Sequence, residues 1–153
     1  MATPDVITAA RFELNVNELG QAEFSELGGI SMEIDVVEFQ DNDAQGMIRL
    51  HKLPGKAKPA TITLKRPMNG TMLLWEWHAS INNFSHKAEM PLSKAQRGGT
   101  LKMYSMEGGE PVAVYEFLGG WPSKMSINGM KAGASEVMVE EVIITCEMLM
   151  RIK

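Results

Sequence analysis

The sequence contains a single cysteine, Cys146, among 153 residues, and this scarcity excludes several kinds of site. One cysteine permits neither an intrachain disulfide nor a multi-cysteine metal centre, which favours synthesis in a reducing cytosol. No apolar run approaches the roughly 18 residues of a membrane span. The opening residues, MATPDVITAARF, lack the basic start and apolar core of a secretory signal. These absences predict a cytoplasmically made chain that does not itself insert into a membrane.

The chain also lacks an excess of positive charge and any recognisable catalytic motif. Its net charge of -4 argues against general nucleic-acid binding, which normally shows a basic footprint. The histidines His51, His78 and His86 are isolated, without the spacing that places two metal ligands on one helix face. Glu140 and Glu141 are neighbours in a predicted strand, so they face opposite ways and cannot flank one substrate. We therefore expect no enzyme activity, no metal site and no cofactor.

What the chain does have is repeated alternation of apolar and polar residues, which predicts β-strands. The alternation is clear over 11–19, 30–39 and 60–66, and it recurs over an unusually long stretch, 137–150, interpreted as one strand. The apolar phase of these strands, with the Trp-Pro corner at Trp121, predicts the core. The predicted core residues are Phe12, Leu14, Ile34, Val36, Trp121, Val142, Ile144 and Cys146.

One segment shows helical rather than strand periodicity. Leu74, Trp77 and Ile81 recur at helical spacing after a candidate cap at Asn69, which predicts a helix over about 70–82. The segment 84–97 is predicted to be mostly loop. No linker or repeat divides the chain, so residues 1–153 are predicted to form a single, mainly β domain with one helix.

Several segments, in their order and spacing, resemble the phage tail tube family, including the inner-tube proteins of contractile phage tails and extracellular injection systems. The resemblance covers almost the whole chain. The segments that carry it are Phe12–Leu14, Phe24–Gly29, Met32–Phe39, Leu53–Gly55, Ile62–Arg66, the tryptophans Trp75 and Trp77, Trp121-Pro122 and Lys131–Val137. The chain departs from the family pattern in a longer, more basic 86–97 segment and in Ala134-Ser135.

The resemblance implies a small two-sheet antiparallel β-barrel or sandwich with one flanking helix. It also implies a structural subunit that forms homohexameric rings stacked into a hollow tube. The implied partners are a surrounding sheath protein, a baseplate and tube-initiator or cap proteins, with DNA or a protein effector as cargo in the lumen. Such a chain is made in a bacterial cytoplasm and ends in a virion tail or a released injection particle.

Two groups of residues become candidate assembly residues once the tube is assumed. Acidic residues in the polar phase are expected to line the lumen: Glu13, Glu33, Asp35, Glu141 and Glu147. The excursion over about 39–60, poor in core-forming residues, is expected to be an extended arm that reaches a neighbouring subunit or ring. Its candidate contact residues are Asp41, Asp43, Arg49, Lys52, Pro54, Gly55, Lys56 and Lys58.

Two alternatives remain open at the level of sequence. A type VI secretion-like tube or effector-carrier protein shares the expected ring assembly. The second is a monomeric β-barrel that binds a small ligand or carbohydrate. Such a module would form no rings and would show a concave cluster of aromatic side chains.

Overall fold

The computed structural model describes residues 6–69, 71–87, 96–128, 132–133 and 137–153, which form ten strands and one helix. The elements in chain order are β1 (Arg11–Val16), β2 (Gly20–Phe24), β3 (Glu26–Ser31), β4 (Ile34–Asn42), β5 (Ile48–Ala57), β6 (Ala60–Pro67), α1 (Leu73–Lys87), β7 (Arg97–Tyr104), β8 (Ala113–Ile127), β9 (Val139–Cys146) and β10 (Met148–Arg151). Every strand pairing is antiparallel.

The strands form two sheets around one core, and a separate hairpin projects from them. Sheet 1 has the order β2-β1-β7-β8-β10. Sheet 2 has the order β8-β9-β6-β3. The hairpin consists of β4 and β5, which pair only with each other within the described chain. The predicted two-sheet architecture is therefore confirmed.

Two bent strands connect the sheets and close them into a barrel. β8 belongs to both sheets: its first half pairs with β7 and β10, and the half from Trp121 onwards pairs with β9. Gly119 lies at this bend with φ of 61°, in the left-handed region that glycine adopts without steric cost. The second bend is at Ser25, where β2 of sheet 1 continues directly into β3 of sheet 2. A barrel built in this way encloses a single core.

Side chains from both sheets and the helix fill this core. Phe12, Leu14, Val142, Ile144 and Cys146 are all buried, as the alternation predicts. Burial raises the pKa of the Cys146 thiol to about 11, so it is a protonated apolar core residue and not a nucleophile. The barrel interior is thus occupied by the protein itself.

The helix packs its apolar stripe onto the same core. Leu73, Leu74 and Trp77 are buried, while Trp75 on the opposite side is exposed. The Asn69 side chain accepts a hydrogen bond from the Thr71 N–H at 2.9 Å just before the helix begins, as expected for a cap-forming residue. The helix runs to Lys87, so the predicted end near residue 82 and the loop over 84–87 are wrong. The remaining part of the predicted loop, 88–95, lies outside the described residues, as do most of 128–136.

The long strand predicted over 137–150 is wrong, because it is two strands in different sheets. β9 ends at Cys146 and pairs within sheet 2, and β10 begins at Met148 and pairs with β8 in sheet 1. The chain changes sheets at Glu147, whose N–H donates to the Leu118 carbonyl at 3.1 Å. The alternation of apolar and polar residues continues across this corner. Met148 therefore occupies an even-numbered position like the core residue Cys146, although its side chain is exposed.

Three predicted core residues lie elsewhere. Ile34 and Val36 are 59% and 65% exposed, because β4 leaves the barrel and belongs to the projecting hairpin. Trp121 is half-buried and pairs with Thr145 on the outer side of sheet 2, whereas the adjacent Pro122 takes the buried position. The projecting hairpin therefore begins at Ile34, five residues before Phe39, the predicted start of the arm.

Candidate assembly surfaces

The most conspicuous surface is the β4–β5 hairpin, which carries large apolar side chains in contact with solvent. Its two strands pair from Ile34–Ala57 to Asn42–Ile48, with a bulge near Pro54. The exposed apolar residues on it are Ile34, Val36, Val37, Phe39, Ile48, Leu50 and Leu53. An isolated two-stranded hairpin is marginally stable in water, and exposed apolar strands invite pairing with another chain. The hairpin is therefore a candidate surface for contact with another chain.

The predicted arm residues lie along this hairpin, and its charges are largely paired internally. Asp41 contacts Arg49 at 3.3 Å and the His51 ring at 2.9 Å. Lys52 pairs with Glu38 at 3.7 Å across the strands. Asp43 accepts hydrogen bonds from the turn N–H groups of Gln45 and Met47. Pro54 lies opposite Val36, Gly55 lies against Val37, and Lys56 is exposed.

Lys58 joins the two ends of the hairpin at its base. Its ammonium contacts Glu33 at 3.3 Å and Asp35 at 3.4 Å, and these two carboxylates raise the Lys58 pKa. Its backbone N–H also donates to the Glu33 carbonyl at 2.9 Å. The hairpin therefore leaves the barrel through two adjacent main-chain segments.

The five acidic residues predicted to line a lumen do not share one surface. Glu13 lies on the outer face of sheet 1, whereas Glu141 lies on the outer face of sheet 2, which points the other way. Glu33 and Asp35 are at the hairpin base, and Glu147 is at the corner between β9 and β10. The polar phase of a strand distinguishes the outside of the barrel from its inside but not one sheet from the other, so it does not by itself assign these five residues to one wall.

The outer face of sheet 2 carries hydroxyl groups together with charges of both signs, among them Glu26 and Lys124. Thr61 lies opposite Thr145, Thr63 lies opposite Ile143, and Lys65 lies opposite Glu141. The Lys65 and Glu141 side chains approach to 4.0 Å, so the two charges offset each other. The Thr145 hydroxyl donates to Ser123 at 2.8 Å. This face carries hydroxyl groups but little net charge.

Sheet 2 also presents backbone edges that can pair with another chain. β3 pairs with β6 on one side, and β8 from Trp121 to Ile127 pairs with β9 on one side. Within the described part of the chain, no strand pairs with the second side of either segment. An unpaired strand edge of this kind can accept a strand from another chain.

A buried ion pair lies at the end of sheet 2 that is remote from the hairpin. Arg66 Nε donates to Glu140 Oε2 at 3.1 Å, and the two side chains are only 3% and 9% exposed. The guanidinium carbon also lies 5.3 Å from the centre of the Phe24 ring. In the described structure Arg66 Nη2 has no hydrogen-bond partner. The Glu140 carboxylate and the face of the Phe24 ring thus stabilise the buried positive charge of Arg66.

Replacing Glu140 with glutamine is expected to lower the free energy of unfolding by about 3–5 kcal/mol, because it leaves a buried charge uncompensated. Urea titration of the variant measures this loss. The control is Glu38→Gln, which removes the carboxylate of the exposed Lys52–Glu38 pair and is expected to cost less than about 1 kcal/mol. Equal losses in the two variants would contradict the importance assigned to burial.

Sequence patterns missed one further surface, a groove between the start of the helix and the end of sheet 2. It is lined by Met68, Asn69, Thr71, Met72, Trp75, Met125, Ser126, Ile127 and Glu140. The one available signal was the large side chain of Trp75, which lies outside the buried helical stripe.

Comparison with known proteins agrees with this architecture. The family model described as T4-like virus tail tube protein gp19 matches residues 8–150. The fold is similar to that of a chain in the PVC sheath–tube complex of an extracellular contractile injection system, in its extended state. The TM-score is 0.71 and the identity 20%, with 95% of this chain and 90% of that chain covered.

Two further solved structures have the same fold. A chain of the anti-feeding prophage tube-terminating cap gives a TM-score of 0.73 at 18% identity, covering 99% of this chain and 93% of that one. Hcp1 from Flavobacterium johnsoniae gives 0.50 at 17% identity, covering 92% and 93%. No curated protein is detectably similar to the chain in sequence.

Neither a membrane-spanning helix nor a metal-binding cluster is found among the described residues. No helix among them is both long and apolar enough to cross a membrane. The same residues contain no group of three or more His, Cys, Asp or Glu side chains placed to hold a metal ion.

Proposed function

Because this chain belongs to the T4-like virus tail tube protein family, we propose that it assembles into homohexameric rings that stack into a hollow tube. The observation that carries the proposal is the β4–β5 hairpin, whose apolar side chains are exposed although the barrel core is already complete. The barrel interior is filled by side chains, which fits a structural subunit that has no enzymatic activity. The tube is the conduit for DNA or protein cargo, driven through a target envelope when a surrounding sheath contracts.

We assign the outer face of sheet 2 to the lumen. Copies joined through the free edges of β3 and β8 form a continuous inner wall, which removes the exposed edges. The threonine hydroxyls on that wall suit a water-filled channel, and the Lys65–Glu141 pairing keeps its charge balanced. Of the five predicted acidic lumen residues, this assignment keeps Glu141 on the wall and places Glu13 on the outside of the tube.

The hairpin is the arm that joins subunits. Each subunit offers one projecting element and must receive one, so the contact is head-to-tail and can repeat indefinitely along a stack. The expected partners are further copies of this chain, a sheath, a baseplate and initiator or cap proteins. The assembled particle is a phage tail or an injection particle released from a bacterial cell.

Negative-stain electron microscopy and light scattering of the purified protein test the proposal. Rings or tubes of uniform width are expected, with a ring mass of about 100 kDa from six chains of 16.9 kDa. A single 16.9 kDa species that persists to millimolar concentration would contradict tube assembly and favour the monomeric ligand-binding module.

A further inference from the structure

The groove between the helix and sheet 2 is apolar and accessible. Met72 and Trp75 are 57% and 59% exposed, and Ile127 on the facing strand is 45% exposed. Among the described residues that line it, the one charged side chain is that of Glu140, whose carboxylate is already bonded to Arg66. An apolar segment can therefore cover this groove without leaving a charge unpaired.

One face of the β4–β5 hairpin combines apolar side chains with the uncharged Gln40 and Asn42 and one internal ion pair. Val36 lies opposite Pro54, and Leu50 and Ile48 follow towards the tip. The charged side chains on this face, Glu38 and Lys52, pair with each other at 3.7 Å. Burying the face against another apolar surface is favoured by roughly 25 cal/mol per Å2 of apolar area.

The two surfaces lie at opposite ends of sheet 2. The hairpin leaves the barrel next to Ser31 and Thr61, which are paired at one end of β3 and β6. The groove lies beyond Pro67 at the other end of β6. Eight residues of β6 separate the two ends by about 23 Å. A hairpin that covers this groove would therefore come from another copy of the chain.

We propose that the groove lined by Met72, Trp75 and Ile127 is the docking site for the β4–β5 hairpin of a second copy of this chain in the adjacent ring. The inference rests on the proposed tube, and it assigns the receiving side of the contact between rings. A repeat along the tube axis brings the hairpin end of one copy to the groove end of the next. Each copy then gives one hairpin and receives one, which makes the stacking contact self-propagating.

Replacing Met72 with glutamate tests the assignment. The residue is exposed just before the first residue of the helix, where a negative charge is compatible with the helix dipole, so the fold is expected to persist. Single rings are expected to form, while the mean tube length measured by electron microscopy falls at least tenfold. The control is Met106→Glu, at a 91% exposed site in the turn between β7 and β8, which is expected to leave tube length unchanged.

Cross-linking tests the same contact directly. In a Cys146→Ala background, Met72→Cys and Leu50→Cys chains are mixed and treated with a short bismaleimide. Covalent dimers that contain one chain of each kind are expected, and Met106→Cys mixed with Leu50→Cys is expected to give none. Stacked rings without the Met72–Leu50 cross-link, or Met72→Glu tubes of normal length, would overturn the groove assignment alone. Failure of the unmodified chain to form rings would overturn the tube itself.

Discussion

Replacing Ile144 with aspartate is expected to prevent folding. Ile144 is fully buried, and it lies opposite Ile62 on one neighbouring strand and Pro122 on the other. The substitution removes an apolar side chain from a packed core, which alone costs about 2–5 kcal/mol, and adds a carboxylate with no partner. The sum is comparable to the total stability of a typical domain, about 5–15 kcal/mol. Circular dichroism and the soluble yield measure the outcome.

Ile143 provides a matched control for this experiment. It is the preceding residue on the same strand, but it lies on the half-exposed outer face, opposite Thr63. Ile143→Asp is expected to fold, with a loss of stability near the 1 kcal/mol typical of point substitutions. Soluble, assembling Ile144→Asp protein would show that the side chain is not in the core.

Removing the hairpin is expected to abolish tube formation while leaving the barrel folded. The Lys58 N–H donates to the Glu33 carbonyl, so the two chain ends are already adjacent, and an Asn-Gly turn can replace Ile34–Ala57. No residue from Ile34 to Ala57 is part of the core cluster, so the thermal unfolding temperature is expected to change little. Electron microscopy and sedimentation are expected to detect no tubes.

A second variant distinguishes the effect of removing the whole hairpin from the effect of removing only its turn. Replacing only the turn Asp43–Met47 with Asn-Gly keeps both strands and their apolar side chains. This variant is expected to assemble, since the proposed contact uses the strands. Tubes of normal width and length from the chain without the hairpin would contradict the role of the arm.

The alternation of the sequence predicted the core well because neighbouring strand residues point to opposite sides of a sheet. Phe12 and Ile144 were placed correctly on that basis alone. Ile34 and Val36 have the same pattern, yet they face outward from the monomer. Periodicity indicates that a face will be covered, but it does not indicate whether the same chain or another one covers it.

The candidate lumen was harder to predict for a related reason. Glu13 and Glu141 share the outward phase, but the outward directions of the two sheets are opposite. The corner at Glu147 was invisible because the alternation continues through it. Which sheet a strand joins depends on pairing between residues far apart in the chain, as between Thr61 and Thr145, and local pattern does not contain that information.

The two strands that bend from one sheet into the other have a mechanical consequence. Gly20–Ser31, with its bend at Ser25, and β8 each carry main-chain hydrogen bonds in both sheets. Sliding one sheet over the other would therefore break bonds in both at once, at opposite sides of the barrel. A force along the tube axis is therefore transmitted from one sheet to the other through the covalent backbone at the two bends. The barrel resists shear between its sheets as a single stiff unit.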